Sequence, residues 1–312
     1  MENISNEDKI SSKELIDMEK TLNKATQLPP VKMVVVNPYD KGTLESVSLA
    51  YYENVIIPIL VGQKKEIMDR VEEFQIDIVE DWIVEGSDVE IPEIAASLLY
   101  SGEAKYIMKG MISTADFMHV LLEPKWKIRT ERILSHVGMF EMPKSKRVFL
   151  MSDAAINILP NFTRKIHIVA NAVDVARKIG LIPIRIAMLA AVEKVKLPAM
   201  PATLDAFLMK KFASTGYFGD CYIEGPYALD NALDPEKTAT KGLKGEVAGK
   251  ANILITPNIE TGNVIWKIFT CVQKAHPAGV VMGGRCPIVV PSRADDYITK
   301  LRSIKFAKLL IG

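Results

Sequence analysis

Apolar runs of four to seven residues recur along the chain, separated by longer stretches in which apolar positions return every three or four residues. The short runs predict strands at Lys32–Val36, Val55–Val61, Ile76–Val79, Tyr106–Lys109, Val148–Met151, Ile186–Ala191, Cys221–Glu224, Ile253–Thr256, Val280–Gly283 and Ile288–Val290. The longer stretches predict helices over Leu44–Tyr52, Glu93–Tyr100, Ser113–Leu122, Ile166–Ile179, Leu204–Phe212, Gly262–Lys274 and Asp295–Leu309. Strands that are apolar throughout and alternate with helices belong to parallel sheets covered on both faces. The pattern therefore predicts an α/β protein. Several predicted strands end in short loops of polar residues and glycine, at Lys109–Thr114, Glu224–Asn231, Pro257–Asn263 and Pro291–Asp295, and a pocket built from such loops is the natural place for chemistry.

A length of 312 residues exceeds what one ordinary core fills and predicts two domains of about 150 residues each. The polar stretch Met142-Pro143-Lys144-Ser145-Lys146 is a candidate crossing between them. With 39 Lys and Arg against 38 Asp and Glu, the net charge of +1 gives no electrostatic case for nucleic acid or an anionic membrane. Nowhere do 18 apolar residues run together, and Met1–Ala25 has no apolar stretch of signal-peptide type, so a soluble cytoplasmic protein is expected. Cys221, Cys271 and Cys286 lack metal-ligand spacing and read as ordinary buried thiols of a reducing compartment. His119, His136, His167 and His276 form no H-x-x-x-H pattern, so no metal site is expected. Asn37-Pro38-Tyr39-Asp40 follows the first strand where a dinucleotide fold would carry G-x-G-x-x-G, and no G-x-x-x-x-G-K-[ST] loop occurs.

The segment Pro287-Ile288-Val289-Val290-Pro291-Ser292-Arg293-Ala294-Asp295-Asp296 carries the densest candidate chemistry. An apolar strand there delivers a hydroxyl, a guanidinium and two carboxylates within five residues. Arg293 can grip a phosphate through two parallel hydrogen bonds, which a lysine cannot do. Asp295 or Asp296 can take a proton beside it; an Arg–Asp ion pair on a surface loop is the plainer alternative. Ser113 and Thr114 stand where a strand turns into a helix, so hydroxyls and free N–H groups can converge on an anion or simply cap the helix. Gly262 and Asn263 head another amphipathic helix whose N-terminus can face phosphate. Arg129 reads either as a phosphate contact or as a solvated charge, and His136 as a core histidine.

Read in order, the loops resemble the phosphate acetyltransferase and phosphate butyryltransferase family. The resemblance rests on Lys109-Gly110-Met111-Ile112-Ser113-Thr114-Ala115-Asp116, Ile128-Arg129-Thr130 with Leu134-Ser135-His136-Val137, Ser152-Asp153-Ala154-Ala155, and Met200-Pro201-Ala202-Thr203. It continues through Glu224-Gly225-Pro226-Tyr227-Ala228-Leu229-Asp230-Asn231-Ala232, Gly245-Glu246-Val247-Ala248-Gly249, Pro257-Asn258-Ile259-Glu260-Thr261-Gly262-Asn263 and Ser292-Arg293-Ala294-Asp295. The Arg129-Thr130 and Leu229-Asp230-Asn231-Ala232 blocks are closer to the butyryl branch. The chain departs from the family pattern at His119, where acetyl-type members carry arginine, at Thr299, where their aspartate lies, and at Glu224 and Tyr227.

The resemblance implies two Rossmann-like α/β domains with a cleft between them, similar to isocitrate and isopropylmalate dehydrogenases. In that arrangement residues 1–143 and 281–312 form one discontinuous domain, and 144–280 a second domain inserted in it. It implies a homodimer or higher homo-oligomer that transfers a short-chain acyl group, butyryl ahead of acetyl, between coenzyme A and inorganic phosphate. Acyl-CoA and phosphate, or acyl phosphate and coenzyme A, are then its partners, with coenzyme A a substrate and no cofactor bound. Arg293 would neutralise phosphate, Asp295 would be the base and Ser292 its neighbour; Ser113, Thr114, Arg129, Gly262 and Asn263 would bind phosphate or coenzyme A. The alternatives are a non-catalytic ligand-binding relative and a metal- and NAD-dependent 2-hydroxy-acid dehydrogenase of similar fold.

Overall fold

The computed structural model describes residues 16–142 and 146–311. Along the chain run α1 (Met18–Asn23), β1 (Val31–Val36), α2 (Lys41–Tyr52), β2 (Ile56–Gly62), α3 (Lys64–Phe74), β3 (Ile83–Glu85), α4 (Ile91–Tyr100), β4 (Tyr106–Lys109) and α5 (Thr114–Leu121). Next come β5 (Ser135–Glu141), β6 (Val148–Ser152), α6 (Phe162–Ile179), β7 (Arg185–Leu189), α7 (Pro201–Ala213), β8 (Tyr222–Tyr227), α8 (Leu229–Leu233) and α9 (Pro235–Thr240). The chain closes with β9 (Ile253–Ile255), α10 (Ile259–Lys267), β10 (Ala278–Met282), β11 (Ile288–Val289) and α11 (Tyr297–Leu309). The expected α/β character is present.

The chain divides into two compact units. A terminal unit joins Glu19–Leu134 to His276–Gly312, and a central unit covers Ser135–Ala275. The terminal unit orders its strands β3-β2-β1-β4-β11-β10, and the central unit β5-β6-β9-β7-β8. The candidate crossing at Met142–Lys146 includes residues 143–145, which lie outside the described residues.

Two pairs break the expected all-parallel pattern: β10 with β11, and β5 with β6, both antiparallel. The connections explain it, because a short link can only return the chain antiparallel, whereas a parallel neighbour needs a crossover of a dozen residues or more. Ile76–Val79 is not a strand. Asp77 interrupts the run, Val79 is exposed, and the edge position beside β2 is taken by Ile83–Glu85 instead. The predicted helix over Gly262–Lys274 begins earlier, at Ile259, and passes into a π-helical segment at Ile268–Val272. Cys271 is exposed and Cys221 and Cys286 only half-buried, against the expectation of three buried thiols; all three are free.

The central unit's core is aromatic. Phe140 and Phe149 stack at 5.3 Å, and Trp266 and Phe269 meet Phe140 at 4.9 and 5.0 Å. Such pairs contribute about 0.5–1.5 kcal/mol beyond the area they bury.

The terminal unit is fixed by an ion pair between a buried lysine and a half-buried aspartate. Asp40 caps α2, accepting from the Thr43 N–H at 2.9 Å and the Thr43 hydroxyl at 2.6 Å, and it also receives Lys300 Nζ of α11 at 2.6 Å. Lys300 is 2% exposed. Burial works against the Asp40 charge, but the Lys300 and Thr43 hydrogen bonds outweigh it and hold the carboxyl below its ordinary pKa. Breaking one side of such a pair strands a charge, so Lys300→Met is expected to lower the unfolding free energy by about 3 kcal/mol at neutral pH. A native carboxyl with a depressed pKa adds stability above its unfolded value and loses it as pH falls through the native one. The deficit of Lys300→Met against wild type should therefore shrink below about pH 4, in urea unfolding followed across pH; a deficit independent of pH would remove the Asp40 charge from the account.

Candidate active site

β1, β4 and β11 lie side by side and run parallel, with Val36 opposite Lys109 and Val289 opposite Met108. Their carboxyl ends therefore share one edge of the terminal unit's sheet. Three loops leave there: Asn37–Asp40, Gly110–Ser113 and Val290–Asp296. This is the edge at which open α/β sheets meet their ligands.

The Gly110–Ser113 loop is pressed onto β1. The Gly110 N–H donates to Val36 O at 2.8 Å and the Met111 N–H to Asn37 O at 2.7 Å. A Cβ at Gly110 would stand 2.3 Å from Asn37 O, so the close approach requires glycine. Ser113 then caps α5: its Oγ accepts from the Asp116 N–H at 3.0 Å and donates to the Asp116 carboxylate at 2.5 Å. Ser113 and Thr114 are both exposed. Lys109, the last residue of β4, is buried, and its Nζ donates to Gly110 O and Ile112 O at 3.2 and 3.1 Å.

The loop after β11 folds back on itself. Asp295 accepts from the Ser292 N–H at 2.8 Å, and its own N–H donates to Ser292 O at 3.1 Å. The neighbouring carboxylate does something else: Asp296 caps α11 through the Thr299 N–H at 2.9 Å and meets His276 Nδ1 at 2.8 Å. Burial works against the Asp296 charge, yet the Thr299 hydrogen bonds and His276 lower its pKa overall. Arg293 is exposed and forms no hydrogen bond or ion pair with the described residues. Lys109 is within electrostatic range of Arg293, Lys300, Asp40 and Asp295. A Cβ at Gly42 would stand 3.2 Å from Lys300 Nζ and 3.5 Å from Asp295 O, so the ion pair lies directly under this loop.

Not every sequence candidate is here. Arg129 follows Ile128, whose carbonyl accepts from the Arg285 N–H, and Thr130 donates to Gly283 O at 2.6 Å. The Gly283–Arg285 turn feeds the amino end of β11, so Arg129 lies at the opposite end of these strands from Ser113 and Arg293. Gly262 and Asn263 belong to the central unit. A Cβ at Gly262 would stand 2.2 Å from Asp153 O, and Asn263 Nδ2 reaches Ala154 O at 3.5 Å. In that unit α10 is capped by Asn258, which accepts from the Thr261 N–H at 3.0 Å. Nearby is a cavity of about 680 Å³, lined chiefly by apolar side chains such as Leu189, Met200 and Ile265, with the 2.6 Å Lys165–Asp205 pair in its wall.

His136 is buried edge-on against Trp266 at 4.9 Å, and burial lowers its pKa although Asp153 opposes this. The departures at Glu224 and Tyr227 meet each other: the Tyr227 hydroxyl donates to Glu224 Oε2 at 2.8 Å. His119 is exposed on α5. Lys109, Asp40 and Lys300 are the members of the cluster that sequence reasoning gave no role. Lys109 had a signal, a charged residue closing an all-apolar strand. Asp40 and Lys300 had none, being 260 positions apart. Among the described residues no three His, Cys, Asp or Glu side chains gather as a metal ion would require, and no helix is long and apolar enough to cross a membrane.

The adjacent carboxylates predict separable variants. Asp296→Ala is expected to lose about 1 kcal/mol of stability with its helix cap. Asp295→Asn, which leaves the cap in place, is expected to melt close to wild type. Equal losses in thermal unfolding would contradict the division.

The family model described as phosphate acetyl/butaryl transferase matches residues 87–307. A phosphate butyryltransferase of Clostridium acetobutylicum is 38% identical over 90% of this chain and 93% of its own length. A phosphate acetyltransferase of Thermotoga maritima is 34% identical over 88% and 92%. The crystal structure of a branched-chain phosphotransacylase from Enterococcus faecalis V583 superposes with a TM-score of 0.78 at 30% identity, covering 90% of this chain and 99% of the other.

Proposed function

The chain belongs to the phosphate acetyltransferase and phosphate butyryltransferase family and is a phosphate acyltransferase; on that premise we propose that it moves a short-chain acyl group, butyryl ahead of acetyl, between coenzyme A and inorganic phosphate. The observation that carries the site assignment is Arg293, an exposed guanidinium without intramolecular partners among the described residues, beside the Ser292–Asp295 turn at the carboxyl ends of three parallel strands.

In the direction of acyl-CoA formation, the thiol sulfur attacks the carbonyl carbon of the acyl phosphate and its proton passes to Asp295. The tetrahedral intermediate then collapses, the carbon–oxygen bond to phosphate breaks, and phosphate leaves with the bonding pair. A thiol of pKa near 8.5 is only a few per cent ionised at neutral pH, so a base beside it raises the supply of thiolate. The Ser292 N–H holds one Asp295 oxygen and so orients the carboxylate. Arg293 neutralises the departing phosphate through its planar fork. Ser113 and Thr114, at the head of α5, present a helix N-terminus to the same anion. Arg129 and Asn263 are assigned to parts of coenzyme A away from the reacting phosphate; Gly262, packed against Asp153 O with its N–H on Asn258 O, serves the packing of α10. The apolar cavity of the central unit suits a thioester with a sizeable apolar portion.

The finer architecture belongs to the same reading: two Rossmann-like domains of the isocitrate and isopropylmalate dehydrogenase kind, the middle of the chain inserted in the outer domain. So do a homo-oligomeric assembly and a cytoplasmic setting.

The test is phosphate-dependent release of free thiol from acetyl-, butyryl- and branched acyl-CoA. Release with at least one thioester is expected, with a preference for butyryl over acetyl, since each of the two extra methylenes in an apolar pocket changes kcat/KM by about 10–200-fold. No phosphate-dependent release with any chain overturns the reading. Arg293→Ala should lower kcat by about 10²–10³-fold, the cost of removing one preorganised donor, and Arg293→Lys should restore little of it. Asp295→Asn should lower kcat by about 10²–10⁴-fold; wild-type turnover in that variant would place the base elsewhere.

A further inference from the structure

Lys109 is 4% exposed and forms no ion pair with the described residues. An ammonium group has three donors. Two are used on Gly110 O and Ile112 O, and no described residue takes the third. Both carbonyls belong to the loop that leads into α5. The first two N–H groups of that helix, on Thr114 and Ala115, have no intramolecular partner among the described residues, whereas those of Asp116 and Phe117 are met by Ser113. Unspent donors of Lys109 and of the helix thus flank the one loop, Gly110–Ser113.

The surrounding charges leave Lys109 in excess. Lys300 is matched by Asp40 at 2.6 Å, while Arg293 forms no ion pair with the described residues and Asp295 accepts from the Ser292 N–H. Lys109 has no such match, and a buried cation without a counter-charge is costly. Burial first, then Arg293 and Lys300, lower its pKa, a direction that a bound anion would reverse. A carboxylate ligand brings one charge. A phosphate brings up to two, with oxygens enough for a guanidinium fork, an ammonium and helix N–H groups together.

We propose that Lys109 is an anion-binding residue that, with Arg293 and the first N–H groups of α5, holds the phosphate of the acyl-transfer reaction. The proposal rests on the acyl-transfer reading for its substrate, but not for its geometry. Lys109 would also pin the Gly110–Ser113 loop, and that structural duty is the outcome to be told apart.

Two measurements on Lys109→Met and Lys109→Arg separate them. In steady-state kinetics Lys109→Met should raise KM for phosphate by about tenfold or more, the effect of one lost charge-assisted hydrogen bond, with KM for acyl-CoA almost unchanged and Lys109→Arg recovering part of the loss. Without any turnover, inorganic phosphate should raise the melting temperature of wild type through binding to the native state, and Lys109→Met should lose that shift. If Lys109→Met does not fold, Lys109→Gln, which keeps a donor for the loop carbonyls, takes its place. A variant with a wild-type KM for phosphate and a wild-type melting shift overturns the proposal. So does a variant in which both KM values rise alike, which would mark Lys109 as a loop anchor only. Should wild type show a Lys109-dependent phosphate shift but no thiol release, the anion site stands and the acyl-transfer reading falls.

Discussion

The terminal unit depends on one carboxylate with three hydrogen-bond partners. Asp40 accepts from the backbone and hydroxyl of Thr43 and from Lys300. It thereby closes the N-terminus of α2 and draws α11 against it. Removing Lys300 would leave the half-buried Asp40 without its counter-charge; removing Asp40 would strand an ammonium that is 2% exposed. Gly42 is small enough to let the Lys300 side chain and the Asp295 backbone pass over the start of α2. The loop that carries Arg293 therefore rests on a floor set by an ion pair, while Arg293 itself points into solvent. An exposed guanidinium on a fixed base suits a group that must meet an anion and release it again.

The electrostatics of this sheet edge are local. The chain as a whole is nearly neutral, yet Lys109, Lys300 and Arg293 gather where three strands end. Two carboxylates, Asp40 and Asp295, hold part of that charge. Separating the cations by function follows from their surroundings: Lys300 is satisfied internally, Arg293 is exposed and Lys109 is buried with only backbone carbonyls as hydrogen-bond partners among the described residues. Net charge would not reveal such a pocket, because it averages over a surface to which buried groups hardly contribute.

Much of the fold was legible. Strands buried on both faces, such as Tyr106–Lys109 and Val148–Ser152, announce themselves as apolar runs, and their ends carry the loops with the chemistry. Elements with one wet face were harder. α3 buries only Ile67, and seven of its eleven residues are charged, while β3 is a three-residue edge strand. β5 was hidden because Ser135, His136 and Gly138 break an apolar run, although all are buried. At the site, Ser292, Arg293, Asp295 and Ser113 could be read as a group because each stands at a strand end. The Asp40–Lys300 pair could not, since nothing local relates residues so far apart. Arg129 was grouped with them by motif, but an antiparallel return puts its loop at the other end of the strands. The family motif favoured Asp295 over Asp296 as the base, but only the backbone tells which of the two caps the helix.

Those two neighbouring carboxylates carry a consequence for how this protein can vary. One closes the Ser292 turn and the next opens α11, so the loop has no spare residue between its two duties. A single insertion ahead of them would leave an aspartate at the cap but none for the turn, and a single deletion would leave one for the turn but Tyr297 at the cap. Homologues and engineered forms can alter side chains around this loop with some freedom, but its length is a fixed quantity. Loop grafting between family members will succeed only where the spacing from arginine to helix cap is the same.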